Sequence, residues 1–474
     1  LLRVKVVALV LGPAGIGTLS ILSNVLQFGS ALASLGLGQS GVRQIAASRS
    51  DPGTLSRVRQ VLIWANVLQG VLGALLLWSL RAPIARLLFG DAAHATEVGV
   101  LGLGVLATLV AGSQMALLRG LQRIGELAMV TVAGALAGTV AGLAAILALG
   151  ADGLVVMLLT PPLASILAAR RYTRRLPPPE GAPPAPREAA SHWCEMAALG
   201  LVFTAGSLLT LVSLLAVRGH LTREMGLEAV GLFQASWAVA MQYIGVLLDS
   251  MKADYYPRLA AVISDREEAT KLVNQQSQLA MAVGGPLLIL LIGLAPWVVE
   301  LLYSADFAPA ATILQWQLAG NIPKLMSWPL GLIFVAGARS GVFFLLQLFW
   351  NAVFLALFAL GLPVLGLEAA GIAFLAAYGA HLAVVALLAR RLAGHRWERR
   401  SVLLGAGFSA LGAATLGIAF ADPLAGALAG TALACASGLV GLRVLLASTG
   451  TAGRLTGRLA RLFARAGWPL EGRG

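Results

Sequence analysis

The chain has 474 residues, of which 58% are hydrophobic and only 12% are charged, and its mean hydropathy is +0.84. These values exclude an ordinary soluble protein. The net charge of +13 would suit a nucleic-acid partner, but the basic residues lie in the loops between apolar stretches, which argues against one. The two cysteines provide no disulfide framework or metal site.

Apolar stretches long enough to cross a bilayer follow one another along the whole chain. A membrane-spanning helix needs about 20 apolar residues, whereas barrel strands would show a ten-residue alternating pattern that is absent here. The sequence therefore predicts an all-α polytopic membrane protein. The predicted spans are 17–38, 60–80, 98–118, 127–149, 154–170, 196–217, 231–250, 273–296, 313–336, 342–362, 370–389, 402–420 and 425–447. Residues 1–11 resemble the end of one more helix, so we expect about 14 spans with the first truncated.

The chain contains an internal repeat. Residues 11–17 (LGPAGIG) are echoed in the second half of the chain by residues 225–231 (MGLEAVG). Two related lobes within a membrane are the usual build of a transporter. We therefore predict two homologous six-helix lobes followed by two C-terminal helices. The domains are a first lobe (1–175), a cytoplasmic Pro/Arg-rich linker (176–195), a second lobe (196–395), two extra helices (396–447) and a basic cytoplasmic tail (448–474).

The basic residues alternate between the two sides of this span map. Only Arg81, Arg86, Arg218 and Arg223 fall in the loops of one side, whereas the other side holds most of the 34 Lys and Arg residues. An excess of Lys and Arg marks the cytoplasmic side. The alternation predicts that both termini are cytoplasmic.

Motifs for catalysis or nucleotide binding are missing from the sequence. Residues 36–41 (GLGQSG) match G-x-G-x-x-G but follow an apolar helix rather than a strand, so we reject a dinucleotide site. No Walker A, metalloprotease or nucleophile-elbow motif occurs. The histidines are scattered, and we expect His381, which lies inside a span, to be structural. We expect no enzyme activity, no catalytic residue, no metal and no cofactor.

Three ionisable residues lie at or near membrane depth, where charges usually face a bundle interior or a watery cavity. Lys5 lies in the first-helix remnant, Asp249 ends the second helix of lobe two, and Lys324 lies in a helix that we expect Pro323 and Pro329 to interrupt. Broken helices at depth often line substrate paths. The alternative for Lys324 is a structural lysine that pairs with a carbonyl or snorkels, and for Asp249 a place at the interface.

Amides and aromatic residues accompany these charges. We expect four amides to line a cavity: Asn24, Gln27, Asn321 and Asn351. The accompanying aromatic residues include Trp237, Tyr243, Trp316 and Trp328. Such side chains would suit sugars, through hydrogen bonds to hydroxyls and stacking on ring faces. The alternative is interhelical hydrogen bonding.

Residues 5–48 carry a family resemblance. The turn LGPAGIG after a lysine-bearing helix, followed by a long glycine-rich helix and a basic segment, resembles the start of bacterial O-antigen and enterobacterial-common-antigen flippases. These belong to the multidrug/oligosaccharidyl-lipid/polysaccharide (MOP) exporter superfamily. The resemblance implies a V-shaped pair of lobes around a central cavity. It also implies transport of undecaprenyl-diphosphate-linked oligosaccharide, by alternating access, from the cytoplasmic to the periplasmic leaflet of the bacterial inner membrane.

The resemblance also implies roles and partners. A diphosphate needs cationic partners, which Lys5, Lys324, Arg119 and Arg123 could supply, while Asp249 is a candidate for ion coupling. The partners are the lipid-linked oligosaccharide and the bilayer, with polysaccharide polymerase and chain-length proteins as further candidates and no nucleic acid.

Three rival functions stay open at this point. A lipid II flippase and a cation-coupled multidrug exporter would share the fold and the topology. A membrane glycan polymerase or ligase belongs to another class, and it is disfavoured because every predicted outside loop is short.

Overall fold

The computed structural model describes residues 2–175 and 186–449, and every regular element in that part of the chain is helical. The α-helices are α1 (Leu2–Ser34), α2 (Leu37–Ala47), α3 (Pro52–Ser79), α4 (Arg81–Phe89), α5 (Ala95–Gly120), α6 (Ile124–Leu149), α7 (Gly153–Thr173), α8 (Pro186–Val262), α9 (Arg266–Leu302), α10 (Ala310–Ala336), α11 (Ser340–Leu365), α12 (Ala369–Ala393), α13 (Arg399–Ala421) and α14 (Pro423–Thr449). Residues 176–185 of the predicted linker and 450–474 of the predicted tail lie outside the described residues.

Ten helical stretches of the described chain are long and apolar enough to cross a membrane. The stretches of 50 and 54 residues each contain two helices, α6 with α7 and α11 with α12, and the stretch of 59 residues lies in α8. Each predicted span falls on a helix, with two exceptions. Span 17–38 runs past the end of α1 and through the turn at 35–36 to the second residue of α2, and 60–80 ends just past α3. The all-α membrane fold is confirmed, whereas the count of 14 spans stays a prediction.

The internal repeat is visible in the backbone. Gly12 interrupts α1 with φ 61° and ψ −164°, and Gly226, the equivalent glycine of the second copy, interrupts α8 with φ 84° and ψ 177°. Only glycine adopts this region without strain, so the repeated motif specifies a break in the same place of each copy. Shortly after the first break, Gly17 packs so closely on Leu227 that a Cβ would overlap its carbonyl oxygen.

Two further pairs of turns repeat at nearly the same spacing. Asp51 caps α3 by accepting a hydrogen bond from the backbone N–H of Gly53, and Asp265 caps α9 in the same way at the corresponding place of the second copy. Gly150 and Gly366 form the other pair, since both have positive φ and both begin a short 3-10 turn before the next helix. The repeat is therefore structural and extends well beyond the seven residues that first reveal it.

The chain divides into two compact units, Leu1–Leu232 and Phe233–Gly474. In unit 2, the helices converge on a buried apolar core that includes Tyr255, Leu259, Val273, Phe334, Val385 and Ala389. Unit 1 has its own core, which includes Leu37, Ile45, Leu62, Leu117 and Met196. The finer domain boundaries that the sequence suggested stay predictions.

Small residues bring neighbouring helices together. On α6, Gly134, Gly138 and Gly142 all face side chains of α7 that leave no room for a Cβ, and on α14, Gly426 and Gly430 lie on one face one turn apart. Gly430 in turn contacts the backbone of α9. Glycines at this spacing allow close packing in lipid.

Candidate functional site

Helix α10 carries Lys324 and runs without interruption from Ala310 to Ala336. The expectation that Pro323 and Pro329 break it is wrong. Each proline removes one backbone donor, yet the surrounding helices bury most of α10, and packing of this kind keeps proline-containing helices intact in membranes. The lysine is therefore presented from a continuous helix rather than from an unwound segment.

Two glycines bring α10 and α12 into close contact. A Cβ on Gly320 would lie 2.9 Å from the Cα of Leu375, and a Cβ on Gly371 would lie 2.8 Å from the carbonyl oxygen of Ile313. Real Cβ atoms do not approach backbone atoms so closely, so glycine is required at this distance between the helices. One turn beyond Gly320, this contact places Lys324 beside α12.

Lys324 lies against aromatic rings and a thioether. Its Nζ is 3.3 Å from the Sδ of Met241 on α8, 5.3 Å from the ring centre of Tyr378 and 6.0 Å from that of Phe374. A cation over aromatic faces gains about 0.5–2 kcal/mol, most where water is excluded. These partners hold the ammonium group without neutralising its charge.

The aromatic rings around Lys324 form a continuous group from three helices. Trp350 stacks on Phe354 at 5.3 Å and contacts Tyr378 at 4.9 Å, and Trp237 meets Phe374 edge-on at 5.6 Å. We call this group the Lys324 cluster. It comprises Trp237, Met241, Lys324, Trp350, Phe354, Phe374, Tyr378 and His381.

Several buried polar atoms on these helices have no hydrogen-bond partner in the described part of the chain. They are the Oδ1 atoms of Asn321 and Asn351, the Nε1 of Trp350 and the Nδ1 of His381. The amide nitrogens are used, because Asn321 donates to the carbonyl of Ala240 at 3.0 Å and Asn351 to that of Gln347 at 2.8 Å. An unsatisfied buried polar atom costs about 1–3 kcal/mol, so such a collection is typical of a site that receives a ligand or water.

Sequence reasoning found only part of this site. It named Lys324, Asn321, Asn351 and Trp237, but it missed Tyr378 and treated His381 as a lone structural histidine. The missed signal is the spacing of Phe374, Tyr378 and His381, which places them on one face of α12 at i, i+4 and i+7. The other aromatic residues that it named lie elsewhere: Trp316 contacts Phe420, Trp328 contacts Tyr255, and Tyr243 is exposed.

Unit 1 holds the other candidate residues of the α1 segment. Lys5 is half-buried on the short helical piece before the break at Gly12. Asn24 is buried with its Nδ2 unpaired, whereas Gln27, one turn later, is exposed. Asn24 therefore shares with Asn321 and Asn351 the property of a buried amide with unused hydrogen-bonding capacity.

The remaining charged candidates lie on exposed or half-buried positions. Arg119 is exposed at the end of α5, and Arg123, after the turn, forms a salt bridge of 3.2 Å with Glu126. Asp249 is exposed on α8. None of these three belongs to the Lys324 cluster, and their predicted roles stay predictions.

Comparison with known proteins gives a family and curated relatives. A family model described as polysaccharide biosynthesis protein matches residues 6–312. The lipid III flippase of Escherichia coli (strain K12) is 25% identical over 379 residues, which cover 79% of this chain and 90% of that protein. The lipid III flippase of Shigella flexneri matches with the same values.

Solved structures show the same fold. The lipid II flippase MurJ in an inward closed conformation has a TM-score of 0.71 at 13% identity, covering 94% of this chain and 96% of MurJ. An inward-facing multidrug resistance MATE family transporter of the MOP superfamily has a TM-score of 0.69 at 16% identity, covering 83% and 93%. At these identities the likeness shows the fold alone. The comparisons confirm the resemblance drawn from residues 5–48 and a multi-pass membrane protein, and these relatives are flippases and transporters rather than enzymes.

Proposed function

We propose that the chain, which belongs to the polysaccharide biosynthesis protein family, is a flippase for a lipid-diphosphate-linked oligosaccharide in the bacterial inner membrane. The lipid is undecaprenol, the glycan is a surface polysaccharide unit of the O-antigen type, and transport runs from the cytoplasmic to the periplasmic leaflet by alternating access. Both termini are cytoplasmic in this proposal. The curated relatives, which are lipid III flippases, support the substrate class.

The observation that carries the proposal is the Lys324 cluster. The Nζ of Lys324 lies 5.3 Å from the ring centre of Tyr378, with amide, indole and imidazole atoms on the same helices that have no partner among the described residues. A diphosphate pairs with cations through charge-assisted hydrogen bonds, and sugars stack on aromatic rings while their hydroxyls bond to amides. The polyprenyl tail can stay in lipid, so only the polar head needs such a site.

The charge of the cluster separates this function from a cation-coupled multidrug exporter. An exporter of cationic drugs is favoured by a carboxylate in an apolar cavity, whereas the titratable groups of the Lys324 cluster are a lysine, a tyrosine and a histidine. Asp249, the carboxylate proposed for ion coupling, is exposed on α8. A lysine-bearing cluster suits an anionic head. We assign coupling to a proton or sodium gradient to Asp249.

The remaining candidates are assigned to the start of the transport path. We propose that Lys5 makes a second contact with the diphosphate. Arg119 and Arg123 are proposed to attract the diphosphate first, at the cytoplasmic face. Asn24 and Gln27 are proposed to bind sugar hydroxyls. Polysaccharide polymerase and chain-length proteins are proposed to receive the product.

Replacement of Lys324 tests the proposal. Lys324→Ala should lower the rate of flipping in proteoliposomes roughly 10- to 100-fold, because a charged group contributes about 1.5–3 kcal/mol through one hydrogen bond. Lys324→Arg should keep part of the activity. Lys271→Ala is the matched control, because Lys271 is an exposed lysine of the same unit and should give the wild-type rate.

Three lipid-linked substrates should be compared in the same assay: an O-antigen unit, lipid III and lipid II. If lipid II is flipped faster than either surface-polysaccharide unit, the proposed substrate is wrong and the protein is a lipid II flippase. Normal export in cells by both Lys324→Ala and Lys5→Ala, at normal protein levels, would remove the lysines from the mechanism.

A further inference from the structure

Three connections between helices meet at one end of unit 2 and enclose a polar cavity. They are the α8–α9, α10–α11 and α12–α13 connections, and the cavity has a volume of about 280 Å³. We call it the connector pocket. Its polar lining consists of Ser264, Arg266, Thr270, Arg339 and His395. None of these residues belongs to the Lys324 cluster.

His395 is the unexplained residue of the connector pocket. His395 is only 3% exposed, and neither ring nitrogen has a hydrogen-bond partner among the residues that the structure describes. The residue is held in place on both sides: its backbone N–H donates to the carbonyl of Ala389 at 3.1 Å, and its ring packs edge-on against Trp397 at 5.2 Å. A fixed, buried imidazole with two unused polar atoms is typical of a place where a ligand supplies the partner.

Two arginines of the pocket supply positive charge. Arg339 is fixed, because its Nη1 donates to the carbonyl of Leu392 at 2.8 Å, which leaves its other N–H groups available. Arg266 forms no hydrogen bond or ion pair within the described chain. Its side chain passes Gly394, where a Cβ would lie 3.6 Å from the Arg266 Cδ. One arginine is thus positioned in advance and the other can adjust to a ligand.

In the described chain, neither arginine forms an ion pair with a carboxylate. No Asp or Glu is among the described residues that line the pocket. Asp265 accepts hydrogen bonds from the backbone N–H groups of Glu267 and Glu268, and Glu398 accepts one from the side chain of Gln278 at 3.0 Å. The pocket therefore keeps the positive charge of its two arginines, which favours an anion.

The connection that carries His395 is rigid. Buried Asn274 on α9 donates to the carbonyl of Arg396 at 3.0 Å and accepts from the backbone N–H of Glu398 at 3.0 Å and the hydroxyl of Ser401 at 2.8 Å. On the other side of His395, a second cavity of about 430 Å³ is lined by Arg390 and Arg396. His395 thus stands between two pairs of arginines in a connection held by side-chain hydrogen bonds.

We propose that the connector pocket binds a phosphate group. Arginine matches phosphate oxygens with several N–H donors in a fixed geometry, and a neutral imidazole and two hydroxyls can complete the set. The group comes either from an anionic lipid headgroup or from free phosphate in solution. This site is separate from the one assigned to transport, and its existence does not depend on the proposed function.

Thermal unfolding of the purified full chain tests the proposal. In detergent, inorganic phosphate or dioctanoyl phosphatidic acid should raise the unfolding temperature in a saturable way, as any ligand specific for the folded state does. Arg266→Gln and Arg339→Gln should each weaken the apparent affinity roughly tenfold or more, the factor for one lost charge-assisted hydrogen bond. Arg400→Gln is the matched control, because Arg400 is an exposed arginine of the same end of unit 2 that lines neither cavity.

The possible results distinguish a lipid headgroup from free phosphate, and they also show when the proposal fails. Saturation by inorganic phosphate identifies free phosphate, whereas saturation by phosphatidic acid alone, compared with dioctanoyl phosphatidylcholine, identifies a lipid headgroup. No stabilisation by either probe would overturn the site. An equal loss in Arg400→Gln would also overturn it, because the attraction would then be a diffuse surface effect. Both arginines are exposed, so their variants should fold normally.

Discussion

The contact between α10 and α12 at Gly320 allows a strict test of the site geometry. In Gly320→Ala the added Cβ would lie 2.9 Å from the Cα of Leu375, whereas ordinary contacts begin near 3.4 Å, so the helices must separate by about half an ångström. Overpacking of this kind costs typically 1–3 kcal/mol, which for a chain of 474 residues corresponds to a fall of roughly 1–3 °C in the unfolding temperature. The same shift moves Lys324 away from Tyr378.

The assay pairs thermal unfolding with flipping in proteoliposomes. Gly379→Ala is the matched control, because Gly379 lies in α12, the helix that Gly320 approaches, and a Cβ there would meet no described atom within 4 Å. Alanine is a better helix former than glycine, so this control should be neutral or slightly stabilised. We expect Gly320→Ala to lose both stability and flipping rate. A Gly320→Ala protein as stable and as active as the control would refute the close approach of α10 and α12.

The topology, the chemistry and the connector pocket each give one further prediction. In a cysteine-free background, single cysteines at Ala92 and Glu224 should react with an impermeant periplasmic thiol reagent, whereas one at Arg396 should be shielded; the opposite pattern would reverse the span map. Mass spectrometry should find the flipped lipid covalently unchanged, and ATP should not alter its movement; a changed mass would indicate an enzyme. Burial lowers the pKa of His395 from 6.5 to about 4, so the unfolded chain binds a proton at a higher pH than the folded chain does. The free energy of unfolding therefore has its full value above pH 6.5 and decreases by roughly 3 kcal/mol between pH 6.5 and pH 4. In phosphate-free buffer the unfolding temperature should therefore drop less between pH 7 and pH 4 in His395→Gln than in the wild type, and an equal drop would contradict the assigned pKa.

The sequence predicts most of the helical architecture because local composition determines which segments form membrane helices. An apolar stretch of about 20 residues has no alternative in lipid, so the predicted spans fall on helices. The repeat was also readable, because Gly12 and Gly226 are required by a backbone conformation that only glycine adopts easily. Both features are determined by a few neighbouring residues.

The site was harder to predict because it depends on which helix faces touch. Lys324 and Asn321 stood out as polar residues in an apolar span, but their partners on α12 did not, because Tyr378 and His381 are ordinary within their own helix. The effect of Pro323 was misjudged for the same reason: whether a proline breaks a membrane helix depends on its neighbours, which the local sequence does not show. The connector pocket joins three connections from distant parts of the chain, and no local motif marks it.

The two copies of the repeat share a backbone but differ in chemistry. In the register that pairs Gly12 with Gly226, Lys5 corresponds to Gly219. In the register that pairs Gly150 with Gly366, Lys324 corresponds to Thr108 and Tyr378 to Pro162. Both copies have the glycine breaks and capped turns that shape the helices, but neither lysine has a counterpart in the other copy. The fold itself therefore does not require either lysine. A charge retained in one copy only, and at membrane depth, is costly unless it binds something. The proposed function gives both lysines such a partner, because each is assigned to the diphosphate of the lipid-linked substrate.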